Sequence, residues 1–227
     1  LAAAAMECDG LTAEALVLAG VTITEAVAVT PGDDAPVAIC RVRGQMAERV
    51  GVDGRAYALR FELSLPEDWN GDYVHQFNGG NDGEVKPASG KLSAGTGEVS
   101  PLARGYAVVS SDAGHDGKAF GDYGLAGGAA FGFDFEARRM YGYGAVAALD
   151  PVARQAVKAF YGAEIEHSYG VGCSNGGRHA MVAAARMPEA FDGLLIGAPG
   201  YNLPKAALQH AWDVQHTLPL TGELKTA

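Results

Sequence analysis

Ser174 stands at the centre of Gly172-Cys173-Ser174-Asn175-Gly176, and this G-x-S-x-G spacing is the one a nucleophile elbow requires. In such an elbow the serine occupies a sharp strand-to-helix turn, and glycines on either side keep close-passing backbone from clashing. The chemistry would be acyl transfer. A serine oxygen attacks a carbonyl carbon, a histidine takes its proton, and an acid orients the histidine. Two backbone N–H groups hold the oxyanion that forms. One is expected from Asn175, the residue after the serine, and the other from Gly79 or Gly80 in Asn78-Gly79-Gly80, which follows an apolar run at 73–77.

The elements around Ser174 supply the context the motif needs. Residues 168–171 read as a short strand entering the turn, and 177–187 as a helix leaving it, stopped by Pro188. Upstream, the alternation of Tyr57, Leu59, Phe61 and Leu63 predicts a strand, as does that of 21–29. A further strand at 106–110 delivers Ser111-Asp112-Ala113-Gly114-His115 to the same end of the sheet as the elbow. Asp112 is expected to fix that loop, and His115 to form a pocket wall or a structural hydrogen bond. The pattern from 135 to 161 is helical, with Asp150-Pro151 reading as an N-cap followed by a first-turn proline, and Gly162 as the stop. A strand at 193–198 and a helix at 205–217 follow. Helices alternating with strands give the α/β class, with a mainly parallel sheet flanked by helices.

In folds with this elbow the acid and base follow the serine in chain order. The later candidates are poorly placed. His179 lies in the helix leaving the elbow, and His210 and His216 lie in the helix at 205–217. Asp192 precedes its strand, whereas ligands of an open α/β sheet bind at the carboxyl ends of strands. His115 precedes the serine and so breaks the order. His75 reads as a satisfied packing residue, His167 as part of a solvated loop, and Arg178 as a helix-surface contact. The base and acid are therefore expected from outside this chain, which reads as the front part of one catalytic domain.

Composition suits a folded enzyme: 48% of residues are hydrophobic and 19% charged, enough for a substantial core. A formal net charge of −10 argues against a nucleic-acid partner, and no apolar run approaches the length of a membrane span. The opening Leu1-Ala2-Ala3-Ala4-Ala5 resembles the small-residue border of a removed signal peptide. Three cysteines leave one over. Cys8 and Cys40 flank the strand at 21–29 and could bridge around it in an oxidising compartment. Cys173 is then either a small buried residue at a strand end or half of a disulfide to a cysteine outside the chain.

Several segments together resemble the tannase and feruloyl esterase family of α/β-hydrolases. They are Ala38-Ile39-Cys40-Arg41-Val42, Leu65-Pro66-Glu67-Asp68-Trp69-Asn70-Gly71, Asn78-Gly79-Gly80-Asn81-Asp82-Gly83 and Ser111-Asp112-Ala113-Gly114-His115. The elbow, Gly172-Cys173-Ser174-Asn175-Gly176-Gly177-Arg178, matches best, and Phe191-Asp192-Gly193 and Gly197-Ala198-Pro199 follow it. The segment Gly144-Ala145-Val146-Ala147 departs from the family pattern by lacking an Arg and a His. The resemblance implies an α/β-hydrolase fold, incomplete here because the lid and last strands are missing. Residues 1–200 would be the front part of the catalytic domain, and 201–227 a helical segment leading into a lid insertion, in which a structural calcium would sit.

It also implies that Cys173 is disulfide-bonded to a cysteine just after the catalytic histidine, joining this chain to the remainder of the enzyme. The function implied is a secreted or periplasmic serine esterase that hydrolyses an ester of an aromatic acid through an acyl-enzyme on Ser174. Asn81, Asp82 and His115 are expected to line the substrate pocket, with no metal or cofactor held by these residues. The alternatives are an inactive aromatic-ligand-binding protein on the same scaffold and a lipase-like hydrolase.

Overall fold

The computed structural model describes residues 6–32, 35–91 and 99–221, so the signal-like opening Leu1–Ala5 and residues 222–227 lie outside it. The described strands are β1 (Val21–Val29), β2 (Ile39–Val50), β3 (Ala56–Pro66), β4 (Asp72–Phe77), β5 (Ala107–Ser111), β6 (His167–Cys173) and β7 (Gly193–Gly197). They form a sheet in the order β1-β2-β3-β5-β4-β6-β7. The first three strands and the β3–β5 pair are antiparallel, while β5, β4, β6 and β7 are parallel neighbours.

This order locates a binding crevice by topology alone. After β4 the chain steps to one side to make β5, then crosses back over β4 to make β6 on the other side. Such a reversal opens a crevice at the carboxyl ends of the two strands it separates, because their outgoing connections diverge to opposite sides. Those ends, on β4 and β6, carry Asn78-Gly79-Gly80 and Ser174.

The core forms where β3 and its neighbours meet the helix behind the sheet. Leu59, Leu63 and Leu65 of β3 and Tyr73 of β4 are buried in one cluster with Leu149, Ala153 and Val157 of helix α2 (Ala145–Tyr161). Cys8 and Cys40 form the expected disulfide, with Cα atoms 5.5 Å apart, tying the segment before β1 to β2. Closing a loop of this length is worth roughly 3 to 4 kcal/mol in the chain-entropy account. Among the described residues no helix is long and apolar enough to cross a membrane.

The expected helix break at Asp150-Pro151 does not occur. Asp134 caps the short helix α1 (Phe135–Arg139) by accepting from the Ala137 N–H, a π turn follows at Met140–Gly144, and α2 then runs through Pro151 to Gly162, its left-handed cap. Asp150 is thus an interior helical residue, and its carboxylate is turned inward instead of capping. A proline inside a helix leaves the carbonyl four residues earlier without its donor. Here that residue is Ala147, on the exposed face, where water can replace the missing bond. The segment Gly144–Ala147 that departs from the family pattern spans the end of the π turn and the start of α2, with Ala145 and Val146 buried.

Candidate active site

Ser174 links β6 to helix α3 (Asn175–Arg186) with φ 60° and ψ −119°, a backbone conformation that L-residues rarely adopt. Backbone bonds hold the turn: its N–H donates to Gly197 at 3.0 Å, and its carbonyl accepts from Arg178 at 3.0 Å and Gly200 at 2.9 Å. The Ser174 residue is exposed, whereas Asn175, Gly176 and Gly177 behind it are buried. The glycines are required by contact distance. A Cβ on Gly172 would lie 2.2 Å from the Gly176 carbonyl oxygen, one on Gly176 would lie 2.2 Å from that of Phe77, and one on Gly177 would lie 2.4 Å from that of Gly197. All three obstacles are backbone and cannot swing aside.

The loop after β4 lies against the serine. A Cβ on Gly79 would sit 3.3 Å from the Cys173 carbonyl oxygen and 4.0 Å from Ser174 Cβ, while Gly80, at φ 69°, faces open space. Asn175 is the first residue of α3, so its N–H has no acceptor within the helix. The two expected oxyanion donors are therefore carried by segments that border one exposed hydroxyl. Asn78 anchors the loop's first residue: its side-chain amide donates to Ser110 Oγ at 3.0 Å and to the Ser111 carbonyl at 2.8 Å. At the far end, the Gly83 N–H donates to the Asp112 carbonyl at 3.0 Å.

Of the three expected pocket residues, Asn81 is exposed beside this loop, but Asp82 and His115 are corrected by their burial. The Asp82 side chain is 2% exposed and bonded inward to His179 and Asn175. His115 is fully buried and stacked on Phe131 with ring centroids 3.7 Å apart. Burial lowers its basicity below the ordinary histidine value, which suits a neutral packed ring.

Asp112 does fix its loop, accepting from the backbone N–H groups of Arg60 at 3.1 Å and Gly114 at 2.8 Å and from the Arg60 guanidinium at 3.2 Å. Burial nevertheless outweighs these bonds and pushes its carboxyl up to about 7. Between pH 4 and 7 the folded protein therefore keeps a proton that the unfolded chain has released, so this group's contribution to stability falls as pH rises through that window. Asp112→Asn is expected to flatten the fall, which has a ceiling of about 1.4 kcal/mol per pH unit. Melting temperatures measured at half-unit steps from pH 4 to 7 check it, and parallel profiles for the two proteins would refute it.

Among the described residues no histidine hydrogen-bonds Ser174. His75 is buried with Nδ1 3.2 Å from Asp150, as a satisfied packing residue should be. His167 is exposed, 3.0 Å from Asp72. Asp192 receives the Ser168 N–H and hydroxyl, each at 2.8 Å, where β6 begins, at the end of the sheet remote from the elbow. Cys173 is unbridged and half-buried.

Arg178 is more than the surface contact expected of it. Its Nε donates to Asn175 Oδ1 at 2.7 Å, its two Nη atoms donate to the Tyr141 and Gly142 carbonyls of the π turn, and its guanidinium lies 4.4 Å over the Tyr141 ring. Tyr141 Oη also donates to Asn175 Oδ1, at 2.9 Å. Sequence reasoning missed this cluster of Asp82, Tyr141, Asn175, Arg178 and His179. The available signal was that Asn175 and His179 are four apart on one helix and so share a face.

A mixed, mostly parallel sheet with an exposed serine on a strained strand-to-helix turn, at the carboxyl end of a strand beside the topological reversal, defines the α/β-hydrolase class. The family described as Tannase and feruloyl esterase matches residues 40–224, and the chain belongs to that family. It is 39% identical over 180 residues to a mono(2-hydroxyethyl) terephthalate hydrolase of Piscinibacter sakaiensis, covering 79% of this chain and 30% of that one. It is 30% identical over 198 residues to a probable feruloyl esterase B-2 of Aspergillus flavus, covering 87% of this chain and 33% of that one. A crystal structure of an esterase from Aspergillus oryzae superposes with a TM-score of 0.64 at 25% identity, covering 86% of this chain and 38% of that one. The chain thus spans about a third of the length of these proteins.

Proposed function

We propose that this chain carries the nucleophile and oxyanion site of a serine esterase that acts on an ester of an aromatic acid. The observation that carries the reading is the exposed Ser174 at φ 60°, with Gly79 packed against it and Asn175 beginning the helix behind it. Ser174 Oγ attacks the ester carbonyl carbon and gives up its proton to a histidine from outside the described residues. The oxyanion is held by N–H groups of Asn175 and of Gly79 or Gly80. Collapse expels the alcohol, which takes the proton, and water then releases the acid from the acyl-enzyme.

The aromatic acid is supported by relatives whose names specify terephthalate and feruloyl esters, and by family membership; galloyl esters belong to the same class. In this reading residues 201–227 lead into a lid, and half-buried Cys173 is free to bridge to a cysteine beside the missing histidine. The disulfide between Cys8 and Cys40 supports maturation in a secreted or periplasmic setting. The calcium that the resemblance implies would belong to the lid. Among the described residues no group of three or more His, Cys, Asp or Glu is placed to hold a metal ion, and no step above runs through one.

Labelling tests the assignment. The full-length protein treated with an aryl phosphonate ester should gain one phosphonyl group on the peptide that contains Ser174. Labelling at another serine, or none in protein that still hydrolyses aromatic esters, would overturn it.

A further inference from the structure

We infer that Asp82 is a positioning residue whose side chain latches the two walls of the oxyanion site together. The inference rests on the reading of Ser174 as the nucleophile, and goes beyond it by naming what fixes the donors.

The two donor segments come from different parts of the chain: the loop after β4 carries Gly79 and Gly80, and the start of α3 carries Asn175. An oxyanion hole works only if its donors are held about 3 Å from the developing charge, so the spacing between these segments must be fixed. One carboxylate oxygen spans them. Asp82 Oδ2, on the glycine loop, accepts from Asn175 Nδ2 at 2.7 Å and faces His179 Nε2 at 2.9 Å, one helical turn further along α3. Both the Asp82 and His179 side chains are almost wholly buried, at 2% and 4% exposure.

Chemistry fixes the direction of each bond. The Asn175 amide has only one consistent orientation, because its Oδ1 receives Tyr141 Oη and Arg178 Nε while its NH₂ faces a carboxylate. Flipping it would set NH₂ against the Arg178 Nε donor and an oxygen against the carboxylate. The carboxylate likewise claims the His179 Nε2 proton in preference to the longer 3.3 Å approach of Arg178. This leaves Nδ1 as the bare nitrogen of a buried ring, without a hydrogen-bond partner among the described residues. Asn175 is therefore clamped from both sides, and Asp82 connects that clamp to the glycine loop.

The backbone makes the same point. Asp82 sits at φ 55°, in the left-handed region where glycine is the unstrained choice. Glycine would satisfy the turn but could not reach Asn175 or His179. The strain is accepted at the one residue of the loop whose side chain ties it to α3.

A mutant cycle in the full-length enzyme tests the latch. Asp82→Ala and Asn175→Ala both retain every backbone N–H, and each is expected to lower kcat on an aromatic ester about 10²-fold with KM changed less than threefold. Because both remove one connection, the double variant should lose no more than either single one. An arylboronic acid, which becomes tetrahedral on the serine, should bind about 10²-fold more weakly to each variant, while the aromatic acid product binds as before. Asp82→Asn keeps an oxygen acceptor and should recover most of the rate; if Asp82→Ala does not fold, the cycle is run with Asp82→Gly, which suits the φ 55° turn and likewise lacks the latching side chain. Losses that multiply in the double variant, or a rate loss without weaker boronate binding, would overturn the latch and give Asp82 a merely structural role. Failure of the nucleophile assignment is separate, and would show as absence of phosphonate on Ser174 in the unmutated enzyme.

Discussion

Ser174→Ala in the full-length enzyme is expected to lower kcat on an aromatic ester on the order of 10⁶-fold, the loss seen when the nucleophile is removed from an unrelated serine protease. KM should change little, because the hydroxyl attacks substrate without otherwise binding it. The fold should survive as well. Ser174 holds its turn through backbone bonds to Gly197, Arg178 and Gly200, and its side chain caps nothing in α3. Alanine has the same Cβ at the same φ, so it neither relieves nor worsens the strain. A melting temperature within a degree or two of the parent, with rate reduced to the contribution of oxyanion donors and substrate positioning, is the expected pair of results. A loss of only tenfold would mean that another group forms the acyl-enzyme.

Much of this site was legible in the sequence because its determinants are local. The elbow needs five consecutive residues, the glycine loop directly follows its strand, and short apolar runs at 73–77 and 168–171 marked the strands that deliver both. Even the remoteness of Asp192 followed from its position before a strand instead of after one. What escaped were interactions set by tertiary placement. Asp82 meets Asn175 and His179 across 93 and 97 residues, and no local spacing reports that encounter. His115 and Asp82, polar residues next to a catalytic-looking loop, invited assignment to a pocket wall, yet both side chains turn inward. Asp150-Pro151 gave a sound local capping signal that the fold overrode, because a buried bond network offers Asp150 more than an N-cap does. The π turn at Met140–Gly144 had no signature beyond two glycines, although its carbonyls supply the acceptors that orient Arg178.

That override at Asp150 leads to the largest expected effect on stability. Its carboxylate is buried between α2 and β4, accepting from Tyr73 Oη at 3.2 Å and from Arg154 Nε at 2.6 Å, and lying 3.2 Å from His75 Nδ1. Arg154 in turn lies over the rings of Tyr73 and Phe191, at 5.2 and 5.6 Å, so the carboxylate also fixes a half-buried cation. Burial alone would raise the Asp150 carboxyl, but His75 and Arg154 outweigh it and hold it below the ordinary carboxylate value. A depressed carboxyl contributes stability that is present above the unfolded value, near pH 4, and lost as pH falls through the folded one. Asp150→Ala removes the acceptor while leaving a buried phenol and imidazole beside a half-buried guanidinium, and breaking a buried pair from one side typically costs about 3 to 5 kcal/mol, a ceiling here because water reaches Arg154. Against a total folding stability of about 5 to 15 kcal/mol, that is enough to shift a urea midpoint by a large fraction. Urea titrations at pH 7 and pH 3 separate this account from a simple packing defect. The difference between parent and variant should shrink at the lower pH, which lies below the unfolded carboxyl value so that the unfolded chain gains a proton the folded parent resists, and a difference of the same size at both would show that lost volume, not lost charge, carries the cost.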